Sequence, residues 1–290
     1  MSRNKDRLGM GPDRPEPTSA PPQMAQNNNG TGDFAFVVPT EFVSLPSEGK
    51  FYPENHPLHN ADTIEIKQMT AKEEDILTSR SLLKKGVALD RLIKSIIVNK
   101  SINTDTLLMG DRNAVLVAAR ISGYGNDYNT RVQCPGCGSQ VRNEFDLNDY
   151  ETASFDIDSL EVAVDYDNCT FTTMLPKMKQ EVTFRLLTGF DERTMLSEFS
   201  AGQKKKKNGN ERTITRQLRQ MIVAINGDTN QKLINFVVEN MPSMDSRHMR
   251  VLYKKVTPNI NLDHDFECSE CGYEAELEVP LTADFFWPDR

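Results

Sequence analysis

Cys134-Pro135-Gly136-Cys137-Gly138 and Cys268-Ser269-Glu270-Cys271-Gly272 are two copies of one pattern, and they use four of the five cysteines in the chain. A two-residue gap lets both sulfurs of a pair face one metal ion while the intervening backbone N–H groups turn toward the thiolates. A glycine after the second cysteine supplies the positive φ such a knuckle takes. Four thiolates make a closed tetrahedral zinc site, which leaves no coordination position for water or substrate and is therefore structural. Cys134, Cys137, Cys268 and Cys271 are the expected ligands and Zn2+ the expected cofactor. A thioredoxin-like redox pair explains one Cys-x-x-Cys but not two, and haem attachment needs His where Gly138 and Gly272 stand. Disulfides, which require an oxidising compartment, unliganded thiols and an iron–sulfur cluster remain the alternatives to zinc.

The 130 residues from Gly138 to Glu267 separate the two knuckles. Closing a loop of that length costs about 4 kcal/mol by the logarithmic rule, against roughly 10–16 kcal/mol for structural zinc in small peptides. The expectation is a zinc ribbon split between two distant hairpins. Around the first knuckle, Val132 to Leu147 reads as strand, turn and strand. Around the second, Tyr273, Ala275, Leu277 and Val279 alternate with Glu274, Glu276 and Glu278 as one face of a strand.

Working outward, residues 1–32 are rich in Pro and Asn with little to bury, and read as a disordered arm. Residues 33–131 read as an irregular strap followed by helices. Ile64 and Ile66 mark a short strand, and Thr70-Ala71-Lys72-Glu73 is a capping box that opens a helix ending near Gly86. Leu89, Leu92, Ile93, Ile96 and Ile97 form the stripe of a second helix, and Asp111 is the expected cap of a third. Residues 132–150 are the first ribbon half, and 151–260 a mainly helical insertion. Within it Val182, Phe184 and Leu186 mark a strand, and helices are expected over about 192–199, 213–225, 231–239 and 243–255. Residues 261–290 are the second ribbon half with an aromatic tail. The fold class is α+β.

The chain has 290 residues, 34 Lys and Arg against 42 Asp and Glu, and a net charge of −8. No run approaches the roughly 18 apolar residues of a membrane span, and the N-terminus lacks a signal-peptide core, so a cytoplasmic setting is expected. An acidic chain is a poor general nucleic-acid binder. Lys204-Lys205-Lys206-Lys207 is the exception, without interleaved aromatics, and reads as a solvated loop between helices. Cys169 reads as a half-buried free thiol. His56 and His59 are flanked by Pro53 and Pro57, which prevent a helix from aligning them; His264 is a weak substitute ligand, and His248 a surface residue. No phosphate-binding Gly loop, nucleophile elbow or His-Glu-x-x-His is present, so no enzymatic activity and no small-molecule substrate are expected. Phe51 and Tyr52 in the strap, and Phe285, Phe286 and Trp287 near the C-terminus, place apolar area outside the regular elements. They either dock on this chain's own core or anchor a partner.

The segments Leu45-Pro-Ser-Glu-Gly-Lys-Phe-Tyr-Pro53, Met69-Thr-Ala-Lys-Glu-Glu-Asp-Ile-Leu77 and Leu82-Leu-Lys-Lys-Gly-Val-Ala-Leu-Asp90 stand out, together with both knuckles and the Phe-Phe-Trp-Pro ending. With them the chain resembles the baseplate hub proteins of T-even-like contractile-tailed bacteriophages over roughly residues 36–288. The resemblance implies a non-enzymatic hub component or assembly factor. It would work by protein–protein contacts with hub, spike and tape-measure proteins, in the virion tail and, during assembly, in the host cytoplasm. An unrelated zinc-ribbon adaptor or nucleic-acid binder is the competing class, and the acidic second ribbon half counts against it.

Overall fold

A computed structural model describes residues 37–153, 160–205, 213–279, 281 and 283–286. The arm expected over residues 1–32 lies outside them. The first elements are strands β1 (Thr40–Ser44) and β2 (Thr63–Lys67), an antiparallel pair in which Val43 stands opposite Ile64. Between them runs the strap, whose Ser47, Phe51, Tyr52 and Leu58 are buried.

Four helices follow: α1 (Ala71–Thr78), α2 (Arg80–Lys85), α3 (Ala88–Ile96) and α4 (Met109–Tyr124). The capping box is in place at Thr70. The Glu73 side chain does more than cap, because it accepts from the Thr70 N–H (3.0 Å), Lys67 Nζ (2.8 Å) and Ser95 Oγ (2.5 Å) and so ties α1 to β2 and α3. In α3, Ala88, Leu92, Ile93 and Ile96 are buried at helical spacing, as the sequence stripe requires.

Asp111 is not the cap of α4. The helix begins two residues earlier, and Asp111, in its first turn, turns its carboxylate into the core. There it accepts from the Ser47 N–H (3.0 Å), Ser47 Oγ (2.6 Å) and Tyr52 Oη (2.7 Å), while Tyr52 Oη accepts from the Leu108 N–H (3.0 Å). A buried carboxylate without partners is costly, so the strap's hydroxyls and the start of α4 hold each other in register.

The first cysteine hairpin is β3 (Asp127–Gln133) and β4 (Gln140–Asp146). Then come β5 (Glu151–Ala153), β6 (Ala163–Asp165), β7 (Thr170–Met174), β8 (Glu181–Arg185), α5 (Gly189–Lys205), α6 (Thr213–Met221), β9 (Ile222–Ile225), α7 (Gln231–Glu239) and α8 (Ser243–Val256). The chain returns through β10 (Asn259–Asn261) and the second cysteine hairpin, β11 (Asp263–Glu267) and β12 (Glu274–Glu278), to a short 3-10 turn at Ala283–Phe286. The described residues from Val38 onward form one compact unit.

The insertion departs from the sequence expectation in three places. It contains a four-stranded antiparallel sheet in the order β6-β7-β8-β9 beside its helices. The helix expected over 213–225 stops at Met221, because Ile222-Val-Ala-Ile225 pairs with β8 and then turns through Asn226 and Gly227, both at positive φ. Sheet pairing overrides the helical pattern of the preceding residues. The helix expected to end near 199 runs on to Lys205, so Lys204 and Lys205 belong to α5 and not to a loop; Ala201, Gln203, Lys204 and Lys205 are good helix formers and carry it through Gly202. Lys206 and Lys207 lie outside the described residues.

Two contacts fix how the insertion meets the first half. Met109 N–H donates to Leu187 O (3.2 Å) and Gly189 N–H to Leu107 O (3.0 Å). On α4, a Cβ at Gly110 would come within 2.0 Å of Pro258 O, so only glycine lets α4 lie this close to the entry of β10.

Burial alone would raise the Glu73 carboxyl, but the hydrogen bonds from Lys67, Ser95 and Thr70 hold it down at about 2, from an ordinary 4.5. A depressed folded-state value stabilises the fold above the unfolded value and is lost as pH falls. Acid unfolding of the wild type should therefore steepen between about pH 4.5 and 2. In Glu73→Gln that slope should flatten, with stability near neutrality reduced by about 1–3 kcal/mol; urea melts across this pH range check both.

Candidate metal centre

The two hairpin turns have the same backbone. Cys134 N–H donates to Ser139 O (2.9 Å) and Gly138 N–H to Cys134 O (2.9 Å); Cys268 N–H donates to Tyr273 O (2.9 Å) and Gly272 N–H to Cys268 O (2.8 Å). Gly138 and Gly272 take φ of 76° and 67°, where a side chain would be strained. Gly136 N–H points at Cys134 Sγ, 3.3 Å away. A Cβ at Gly136 would press to 2.9 Å on the Tyr273 ring, so the first turn lies against the residue that follows the second.

These turns bring Cys134, Cys137, Cys268 and Cys271 together, all four sulfurs lying within 4.8 Å of one another. Cys134 Sγ is 3.7 Å from Cys271 Sγ, and Cys137 Sγ is 3.8 Å from Cys268 Sγ. A zinc–sulfur distance of about 2.3 Å gives a tetrahedral edge of about 3.8 Å, so the cluster has the size of a four-thiolate zinc site. Both short separations join opposite hairpins, and they are far longer than the roughly 2.05 Å of a disulfide. Cys134 and Cys268 are buried, and Cys137 and Cys271 face outward.

The thiols influence each other's ionisation. Hydrogen bonds from the Ser139 side chain and backbone hold Cys137 down at about 6. At Cys271 the backbone hydrogen bond from Tyr273 favours the thiolate, but the hydrogen bonds with Cys137, Cys268 and Cys134, together with desolvation, push it up to about 12. Four adjacent thiols cannot all ionise at neutral pH without a compensating cation. A divalent ion that binds here supplies the charge and displaces protons.

The fold itself brings the hairpins close. β5, just after the first hairpin, pairs antiparallel with β10, just before the second, with Asn259 opposite Ala153. The chain between the knuckles is thus closed at its base by backbone pairing, and a metal bound here would not need to carry the loop-closure entropy of the whole insertion. Above that pair a small core of Cys134, Val141, Phe266 and Cys268, flanked by Val132 and Leu277, joins the hairpins. So small a core supplies little stability by itself, which is where a metal contributes most.

The other candidates lie elsewhere. His264 is outside the cluster, its ring 4.9 Å from that of Phe145. His56 Nε2 lies 2.8 Å from Thr106 Oγ1 and His59 Nδ1 lies 2.7 Å from Tyr52 O, so both stabilise the strap. Cys169 donates to Tyr166 O at 3.5 Å, and burial raises its thiol.

The aromatics predicted to dock or to anchor a partner are placed within the chain. Phe51 and Tyr52 are 3% and 2% exposed, Phe285 and Phe286 1% and 2%. Phe51 packs on Phe171 (5.2 Å between centroids) and Phe285 on Tyr128 (5.2 Å). Trp287 lies outside the described residues. Arg120, unremarked in the sequence, fastens the tail: Nε donates to Phe285 O (3.3 Å), while Nη1 and Nη2 donate to Gly125 O (2.7 Å) and Asp127 O (3.2 Å). One guanidinium thus joins the end of α4, the start of β3 and the C-terminal turn. Sequence reasoning assigns no role to Arg120 or to the Ser47 side chain, and it assigns Asp111 the wrong one, a helix cap. Nothing local marks their partners, since Ser47 stands between Pro46 and Glu48 and Asp111 between Gly110 and Arg112.

Purified protein should carry about one zinc per chain. Cys134→Ser combined with Cys268→Ser should abolish metal retention and lower the melting midpoint by several degrees, at roughly 2–4 °C per kcal/mol for this size, whereas Cys169→Ser should change neither. Metal analysis with calorimetry checks this.

No curated protein and no solved structure matches the chain. A protein family does: residues 38–287 match the family described as T4 bacteriophage base plate protein. That span takes in the strap, all the helices and both cysteine hairpins, and the chain belongs to the T4 bacteriophage base plate protein family.

Proposed function

We propose that the chain is a non-enzymatic subunit of the base plate hub, acting through protein–protein contacts with other hub, spike or tape-measure proteins. The observation that carries this is the family match over residues 38–287, which gives a structural role in the phage base plate at the virion tail. The hub assignment rests on the strap, helix and ribbon segments quoted above.

Zinc bound by Cys134, Cys137, Cys268 and Cys271 would act structurally, as a clamp between the two hairpins. The size of the sulfur cluster supports that reading. Four protein thiolates fill a tetrahedral shell, so such a clamp has no vacant position at which to activate water. No helix among the described residues is long and apolar enough to cross a membrane. Contact with other phage proteins in the tail, after folding in the host cytoplasm, is the mode of action proposed on the family match.

Quantitative mass spectrometry of purified virions and of tail intermediates, scaled to the spike protein, tests the assignment. A fixed stoichiometric amount in virions is expected. Presence in intermediates alone would identify an assembly chaperone, and absence from both would refute the hub reading.

A further inference from the structure

Helix α8 carries its charge on the outside. Asp245, its one carboxylate, is buried and accepts from the backbone N–H groups of Lys177 (2.7 Å) and Met178 (2.9 Å), so it neutralises nothing on the outer face. On that face Arg247, Arg250, Val251, Lys254 and Lys255 follow the i, i+3, i+4, i+7, i+8 rule and line a shallow groove of about 360 Å³. All five are exposed. Like charges at these spacings repel, and among the described residues no carboxylate forms an ion pair with any of the four cations.

The second cysteine hairpin shows the opposite charge. In the register of β11 and β12, Asp265 stands opposite Glu276 and Glu267 opposite Glu274, while the alternate residue Phe266 is buried. Asp263, Asp265, Glu267, Glu274 and Glu276 are therefore exposed on one face. Like charges directly opposite each other destabilise a hairpin, and these too have no ion-pair partner among the described residues.

We propose that the basic stripe of α8 docks on the acidic β11–β12 face of a second copy of this chain. The two surfaces are complementary in charge and also in repeat. Carboxylates along β11 recur about every 6.8 Å and cations along α8 about every 5.4 Å, a mismatch that flexible lysine and arginine stems absorb over two steps. Each surface carries local repulsion that the contact relieves, and Val251 provides an apolar centre between the charges. Because two different patches meet, the contact is heterologous. It is independent of the hub assignment and concerns this chain alone.

Sedimentation velocity of the full-length protein tests it. At about 50 mM salt the wild type should self-associate with rising concentration, and at about 500 mM it should revert to monomer. Arg250→Glu with Lys254→Glu should be monomeric at both, as should Glu274→Lys with Glu276→Lys. An equal mixture of these two variants should associate again, since each then meets its opposite charge. Arg247→Glu with Lys255→Glu repeats the test on the same stripe if the first α8 variant folds poorly by circular dichroism. A wild type monomeric at low salt, association indifferent to salt, or a mixture that stays monomeric would overturn the proposal. So would a monomer whose stripe binds polyglutamate or duplex DNA instead.

Discussion

Four thiol groups from two hairpins meet within 4.8 Å, although their knuckles lie far apart in the chain. The electrostatics of that meeting are unfavourable for thiolates alone: hydrogen bonds favour ionisation at Cys137, while its neighbours oppose it at Cys271. A divalent cation bound here would reconcile charge and proximity. The rest of the molecule can be understood as the apparatus that brings the two hairpins to that distance.

Helix α4 and the β5–β10 pair do most of this positioning. The end of α4 leads directly into β3, and its start packs on the segment that enters β10, where Gly110 allows backbone contact. Arg120 then secures the end of α4 to the C-terminal turn, and Asp111 secures its start to the strap through Ser47 and Tyr52. Buried polar groups of this kind are costly unless fully partnered, so they restrict α4 to one placement. The apolar core between the two cysteine hairpins is small, and its geometry is inherited from this larger frame.

The cysteine spacing, the capping box at Thr70 and the α3 stripe were legible in the sequence, because each is a local pattern with a local physical cause. The mixed helix-and-sheet class was legible for the same reason. The strand Ile222–Ile225 was not, because the helical pattern starting at Thr213 was carried through it, although Ile222, Val223 and Ile225 favour a strand and the segment pairs with β8. The pairing of β5 with β10 was also hidden, being three residues on each side and set by the packing between them. Without it, the metal seemed to face the entropy of the whole insertion. Asp111 was misread as a cap because a carboxylate near a helix start has that default role; only the folded strap shows its partners. The four buried aromatics at Phe51, Tyr52, Phe285 and Phe286 could not be divided between core and partner surface from sequence, since either use needs the same residue types.

X-ray absorption at the zinc edge on the purified full-length protein tests the four-cysteine junction directly. A clamp of four thiolates gives a single shell of four sulfurs at about 2.3 Å. A shell dominated by nitrogen or oxygen at about 2.0–2.1 Å would contradict it, since the two hairpins would then not be joined through these four cysteines.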